Sequence, residues 1–166
     1  VLYLSKRQIN DAIQQAAAIN DRYYIILLTL AKTGCRVSEL VAITPNDILF
    51  EENQIILRGK GNKIRNIDVP ADLLMQLQLF IKNKKIKKKN SIIALTIQRI
   101  TQITKRFANT NAHSFRHSYA IHLLRTTKNI SYVQKQLGHT TLTTTQIYLQ
   151  FMEYSQEKTK LGELYA

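Results

Sequence analysis

Residues 54–69 read QIILRGKGNKIRNIDV. Gln54–Arg58 and Lys63–Val69 have the apolar or alternating character of strands, and Gly59-Lys60-Gly61-Asn62 between them has the composition of a hairpin turn. Ile48–Phe50 adds a third short strand. Outside this stretch the signals are helical. Ser5 caps a helix over Lys6–Ala18, and Asn20 or Asp21 caps a second that runs through Tyr23–Ala31. Gly34 ends that helix in the left-handed conformation, and a short helix carrying Arg36, Glu39 and Leu40 follows. Thr44-Pro45-Asn46-Asp47 is a turn, and Pro70 opens a helix over Ala71–Lys82. Further helices are expected over Thr96–Phe107, Ser114–Thr126, Ser131–Leu137 and Leu142–Phe151. The fold class is therefore mainly α with a small antiparallel β-sheet, an α+β arrangement. There is no internal repeat.

The chain has 166 residues and 45% hydrophobic content, enough for a core of its own. Its net charge of +13 points to a polyanionic partner, nucleic acid before an anionic membrane surface. The best apolar run, Tyr23–Ala31, is too short to span a bilayer, and no signal-peptide pattern is present. Cys35 is the single cysteine, so an internal disulfide and a cysteine-based zinc site are excluded, and a reducing, cytoplasmic setting fits. The sequence starts at Val1, as expected of a piece of something longer.

Four short stretches carry the chemistry: TGCRVSEL at 33–40, RGKGNK at 58–63, HSFR at 113–116 and LGHTTLTTTQIY at 137–148. Between them they hold Arg36, Lys60, His113, Arg116, His139 and Tyr148. Guanidinium groups bind phosphate oxygens in bidentate fashion and never deprotonate, which suits Arg36 and Arg116 to the charge that builds on a phosphodiester under attack. Lys60, between two glycines, can swing into a neighbouring site and donate a proton if its surroundings lower its pKa. A helix capped near His139 and the threonines 140–145 would point amides at an anion. Tyr148, nine residues after His139, can serve as a nucleophile once cations and a base surround it. Taken singly, each of these residues is as readily an ion-pair partner, a solvated turn residue or a core aromatic. Glu39, three residues after Arg36, could hold it in a helical ion pair. His113 and His117 are four apart, but no HExxH glutamate and no cysteine accompany them, so no metal site is expected.

As an ordered set, these motifs resemble the tyrosine recombinase family, the phage-integrase and Xer-like site-specific recombinases. The resemblance covers Leu4 to about Phe151. It implies the family's catalytic-domain fold over residues 1–166, with the family's N-terminal core-DNA-binding domain absent from this chain. It implies that Tyr148 attacks the scissile phosphate and leaves a 3′-phosphotyrosyl link. Arg36, Arg116 and His139 would stabilise the transition state, Lys60 would protonate the departing 5′-oxygen, and His113 would assist proton transfer at the tyrosine. Neither a metal nor another cofactor is needed. The implied partners are double-stranded DNA and further copies of the chain, a tetramer in the synaptic complex that passes through a Holliday junction, with no membrane. The implied setting is the cytoplasm of a prokaryotic cell, or that of its phage or mobile element.

Expected DNA contacts are Lys63, Arg65, Lys82, Lys84 and Lys85, with Glu39 in support. The lysine run at 82–89 lies in a stretch that looks short beside the family, and a solvated loop is the other reading of it. Two other functions fit part of the pattern: a DNA-binding module without catalysis, and a type IB topoisomerase. After Tyr148, the apolar positions Phe151, Tyr154, Leu161, Leu164 and Tyr165 suggest a tail that docks on a neighbouring copy or folds back on its own domain.

Overall fold

The computed structural model describes residues 3–138, 153 and 156–165. The chain divides into two compact units, Val1–Tyr119 and Ala120–Ala166.

In the first unit, α1 (Lys6–Ile19) starts at a reciprocal cap in which Ser5 and Gln8 satisfy each other's backbone N–H groups. It buries Ile9, Ala12, Ile13 and Ala16, a stripe at helical spacing. Asn20 caps α2 (Asp21–Thr33), accepting from the N–H groups of Arg22 and Tyr23. Ile25, Ile26, Leu27, Leu28, Thr29 and Leu30 are consecutive and all buried, so α2 is the central helix, covered on every side. Residues packed against it include those of α1, α4 (Ala71–Lys84), α5 (Ile97–Ala108) and α3 (Val37–Ala42). The ion pairs Lys84–Asp21 and Lys32–Asp72 tie opposite ends of α4 and α2 together, so the two helices run antiparallel.

The sheet has the order β1 (Ile48–Leu49), β2 (Gln54–Arg58), β3 (Ile64–Asp68), and both pairings are antiparallel. In the register Ile55 faces Ile67 and Leu57 faces Arg65. Directly opposed residues share one face of a sheet, and Ile55, Leu57 and Ile67 are fully buried on it. Buried Asp47 pins the start of the sheet, accepting from the Thr44 N–H and from the guanidinium of Arg58 at 2.9 Å. Pro70 precedes α4, and Lys85, in the left-handed region, ends it. The segment to α5 is held by hydrogen bonds of 2.7 Å from Ser91 Oγ to the Val41 carbonyl and 2.9 Å from the Ile92 N–H to the Ile43 carbonyl.

Helix α6 (Ala112–Thr127) belongs to the first unit as far as Tyr119 and to the second beyond it. In the second unit Asn129 caps α7 (Ile130–Leu137), which buries Val133, Gln136 and Leu137 and ends at left-handed Gly138. Residues 156–161 are helical and exposed, and the helix stops before Gly162. The expected elements are present to within two residues at each end, except the helix over 142–151, which lies outside the described residues.

Candidate active site

The site is built around the corner between α2 and α3. Thr33, the last residue of α2, turns its hydroxyl to the Thr29 carbonyl at 2.6 Å and accepts from the Cys35 N–H at 3.1 Å. Gly34 follows with φ +62°, a conformation that favours glycine, and a Cβ there would meet Tyr119 Cδ1 at 2.4 Å. The glycine therefore satisfies both the backbone and the packing of α6 on this corner. Its carbonyl accepts from Arg116 Nη1 at 2.8 Å, and Arg116 is only 3% exposed.

Arg36 stands at the N-cap of α3 in extended conformation. Its N–H donates to Glu39 Oε1 at 2.8 Å, while its guanidinium is 3.8 Å from the same oxygen and half exposed. The backbone is thus fixed and the charged end left open to an incoming anion. Glu39 is fully buried and also receives both terminal nitrogens of Arg65, Nη2 reaching Oε1 at 3.2 Å and Nη1 reaching Oε2. A planar fork of this kind satisfies a carboxylate that water cannot reach.

Arg65 belongs to the hairpin whose tip is Lys60. The N–H of Gly59 donates to the Lys63 carbonyl at 2.8 Å and closes the turn. Lys60–Asn62 form a single 3-10 turn in which Gly61 and Asn62 have φ near +67° and +57°. Lys60 is exposed, and the position of a Cβ on Gly59 lies 3.9 Å from Glu39 Oε2, so the tip starts beside that carboxylate.

On α6, the Asn111 side chain accepts from the Ser114 N–H at 3.1 Å and opens the helix. His113 and Arg116 follow in the first turns. Partial burial, then the guanidiniums of Arg116 and Arg36, hold the His113 imidazole below its ordinary value, so it is neutral near pH 7 and able to accept a proton. Burial also lowers His117. Cys35 is pushed up to about 11, chiefly by burial, and its thiol lies close enough to Glu39, Arg116 and Arg65 to feel all three charges.

Arg36, His113, Arg116, Glu39 and the Lys60 hairpin are thus brought to one corner. His139, the threonine stretch and Tyr148 lie outside the described residues. Lys63 is exposed beside the hairpin tip, and Arg65 is turned onto Glu39. Lys84 is paired with Asp21, at the far end of α2 from Gly34. The 13 residues of α2 separate those ends by roughly 20 Å. Lys82 and Lys85 share that remote, exposed end of α4. Among the described residues no group of three His, Cys, Asp or Glu side chains is placed to hold a metal ion, and no helix is long and apolar enough to cross a membrane. Nothing local in the sequence marks Tyr119 as a tyrosine that packs on the distant turn at Gly34.

The phage integrase family's sequence model matches residues 3–153. The chain belongs to this family. It is 33% identical over 161 residues to the tyrosine recombinase XerA of Pyrococcus horikoshii, an alignment covering 87% of this chain and 56% of that protein. The chain therefore spans about half the length of that relative. The crystal structure of XerA recombinase superposes with a TM-score of 0.79 at 26% identity, covering all of this chain and 66% of that one. A XerH site-specific recombinase bound to palindromic difH substrate, a post-cleavage complex, gives 0.81 at 23% identity over 97% of this chain and 53% of that one. This last likeness is one of fold.

Proposed function

We propose that this chain is the catalytic part of a tyrosine-type site-specific recombinase, cleaving and rejoining DNA strands through a phosphotyrosyl intermediate. The observation that carries this reading is the gathering of Arg36, His113 and Arg116 at the Gly34 corner, with the Lys60 hairpin tied to the same corner through Glu39. Membership of the phage integrase family, kinship with a named tyrosine recombinase and the charge of +13 support it. So does a structural neighbour, a site-specific recombinase bound to its palindromic difH substrate.

In the proposed reaction the Tyr148 oxygen attacks phosphorus and the bond to the 5′-oxygen breaks. The strand is left with a 3′-phosphotyrosyl end and a free 5′-hydroxyl. Arg36 and Arg116, with His139, hold the non-bridging oxygens as negative charge builds on them. Neutral His113 takes up the tyrosine proton, and Lys60 supplies one to the departing oxygen. Attack by the 5′-hydroxyl of a partner strand reverses the step and completes an exchange. The bond energy stays in the link, so neither ATP nor a metal is consumed. Strand exchange between pairs of protomers in a tetramer, through a Holliday junction, is the assembly this chemistry serves.

A nicked duplex that loses its short 5′-hydroxyl fragment after cleavage tests the proposal. In EDTA and without nucleotide, an adduct resistant to SDS should accumulate, together with the released fragment. Tight DNA binding with no adduct under those conditions would leave only a binding module.

A further inference from the structure

Arg65 occupies a position where the strand pattern calls for an apolar side chain. Arg65, Ile67 and Val69 alternate along one face, Ile67 and Val69 are buried, and the cross-strand partner of Arg65 is buried Leu57. A charge on that face is costly unless it is paired. It is paired, through two nitrogens, with a carboxylate that has no exposure at all. The same Glu39 oxygen that receives Arg65 Nη2 receives the Arg36 N–H. The other oxygen borders Gly59, the residue before Lys60. One carboxylate therefore links the hairpin to the backbone of Arg36.

We infer that Arg65 is a positioning residue for Lys60: its fork on Glu39 fixes the base of the hairpin on α3 and so sets where the exposed lysine can reach. The inference rests on the reading of Lys60 as the proton donor. Among the described residues the tip itself has little else to hold it. Lys60–Asn62 are exposed, and among the described residues no atom beyond its chain neighbours lies within 4 Å of a Cβ built on Gly61. The Gly59–Lys63 hydrogen bond closes the turn but does not attach it to α3. To contact a DNA phosphate instead, Arg65 would have to abandon a buried carboxylate. A misplacement of about 1 Å in a catalytic group costs on the order of 10²-fold in rate, so a loosened hairpin would be felt in the chemical step and not in binding.

The test compares an ordinary nicked duplex with one carrying sulfur at the 5′-bridging position, whose thiolate leaves without a proton. Arg65→Ala should cleave the ordinary duplex about 10²-fold more slowly and the sulfur duplex at close to the parent rate, with the DNA dissociation constant and its salt slope unchanged. Because Arg65→Ala strands a buried charge, Arg65→Met combined with Glu39→Gln is made alongside; glutamine keeps an acceptor for the Arg36 N–H, and the same selective loss is expected. Equal loss on both substrates overturns the inference. So does weaker binding with a log–log salt slope smaller by about 0.9, the signature of a lost phosphate contact. If neither variant folds, Arg65 is a stability residue and the inference also falls. Lys60→Ala separates the layers. If sulfur fails to rescue it, the proton-donor reading fails and takes this one with it. If sulfur rescues Lys60→Ala but not the Arg65 variants, only the role of Arg65 is wrong.

Discussion

His113 starts below its ordinary value of 6.5 because it is partly buried and faces Arg116 and Arg36. The sign of the pH dependence follows. The unfolded chain binds the proton more readily, so this histidine favours the folded state above 6.5, and the contribution is lost as pH falls from 6.5 toward the depressed folded value. A proton acceptor of this kind should keep cleavage active to a lower pH than an ordinary histidine would. Arg36→Ala should raise the His113 value, read by NMR titration of the imidazole. No upward movement would mean the guanidinium is not facing it. Gly34→Ala is the harshest small change at the corner, since a left-handed alanine costs about 1–2 kcal/mol before its Cβ displaces the Tyr119 ring. The variant should melt earlier and, through the Gly34 carbonyl that holds Arg116, lose cleavage activity. Unchanged melting and cleavage would show that the corner can shift freely.

Among the elements, the hairpin was the most legible. The apolar run Ile55–Leu57, the spacing of Ile67 and Val69, the paired glycines and Asn62 mark its strands to within one residue, because period-two burial and positive φ each demand particular residue types. The caps at Ser5, Asn20 and Gly34 were legible for the same local reason. What local pattern could not supply was the use of charged side chains at long range. Locally, Arg65 is one more basic residue beside a basic turn, and only its place in the Ile67–Val69 alternation hints at an inward charge. Lys84 belonged to a lysine run, yet it pairs with an aspartate on another helix. For the hairpin tip, Lys60→Ala should slow cleavage of ordinary DNA by about 10²-fold or more while a 5′-bridging sulfur restores the rate. Equal slowing of both substrates would make Lys60 a positioning residue instead of a proton donor.

At the scale of the molecule, the motifs point to the family as an ordered set, and the phage integrase family's model matches residues 3–153. The +13 charge should make DNA binding by this chain chiefly electrostatic, with the logarithm of the binding constant falling by about 0.9 per contacted phosphate for each unit of log salt. Specific and random duplexes should compete almost equally in a salt-titrated gel shift, and a flat salt dependence would contradict this. The central claim is that one tyrosine carries the broken strand. Its most direct test is to trap the adduct on a nicked duplex, digest it with protease and locate the DNA-linked residue by mass spectrometry. The link should fall on Tyr148, and Tyr148→Phe should bind DNA yet form no adduct. A link at Tyr154 or any other residue, or an adduct that survives Tyr148→Phe, would contradict the account.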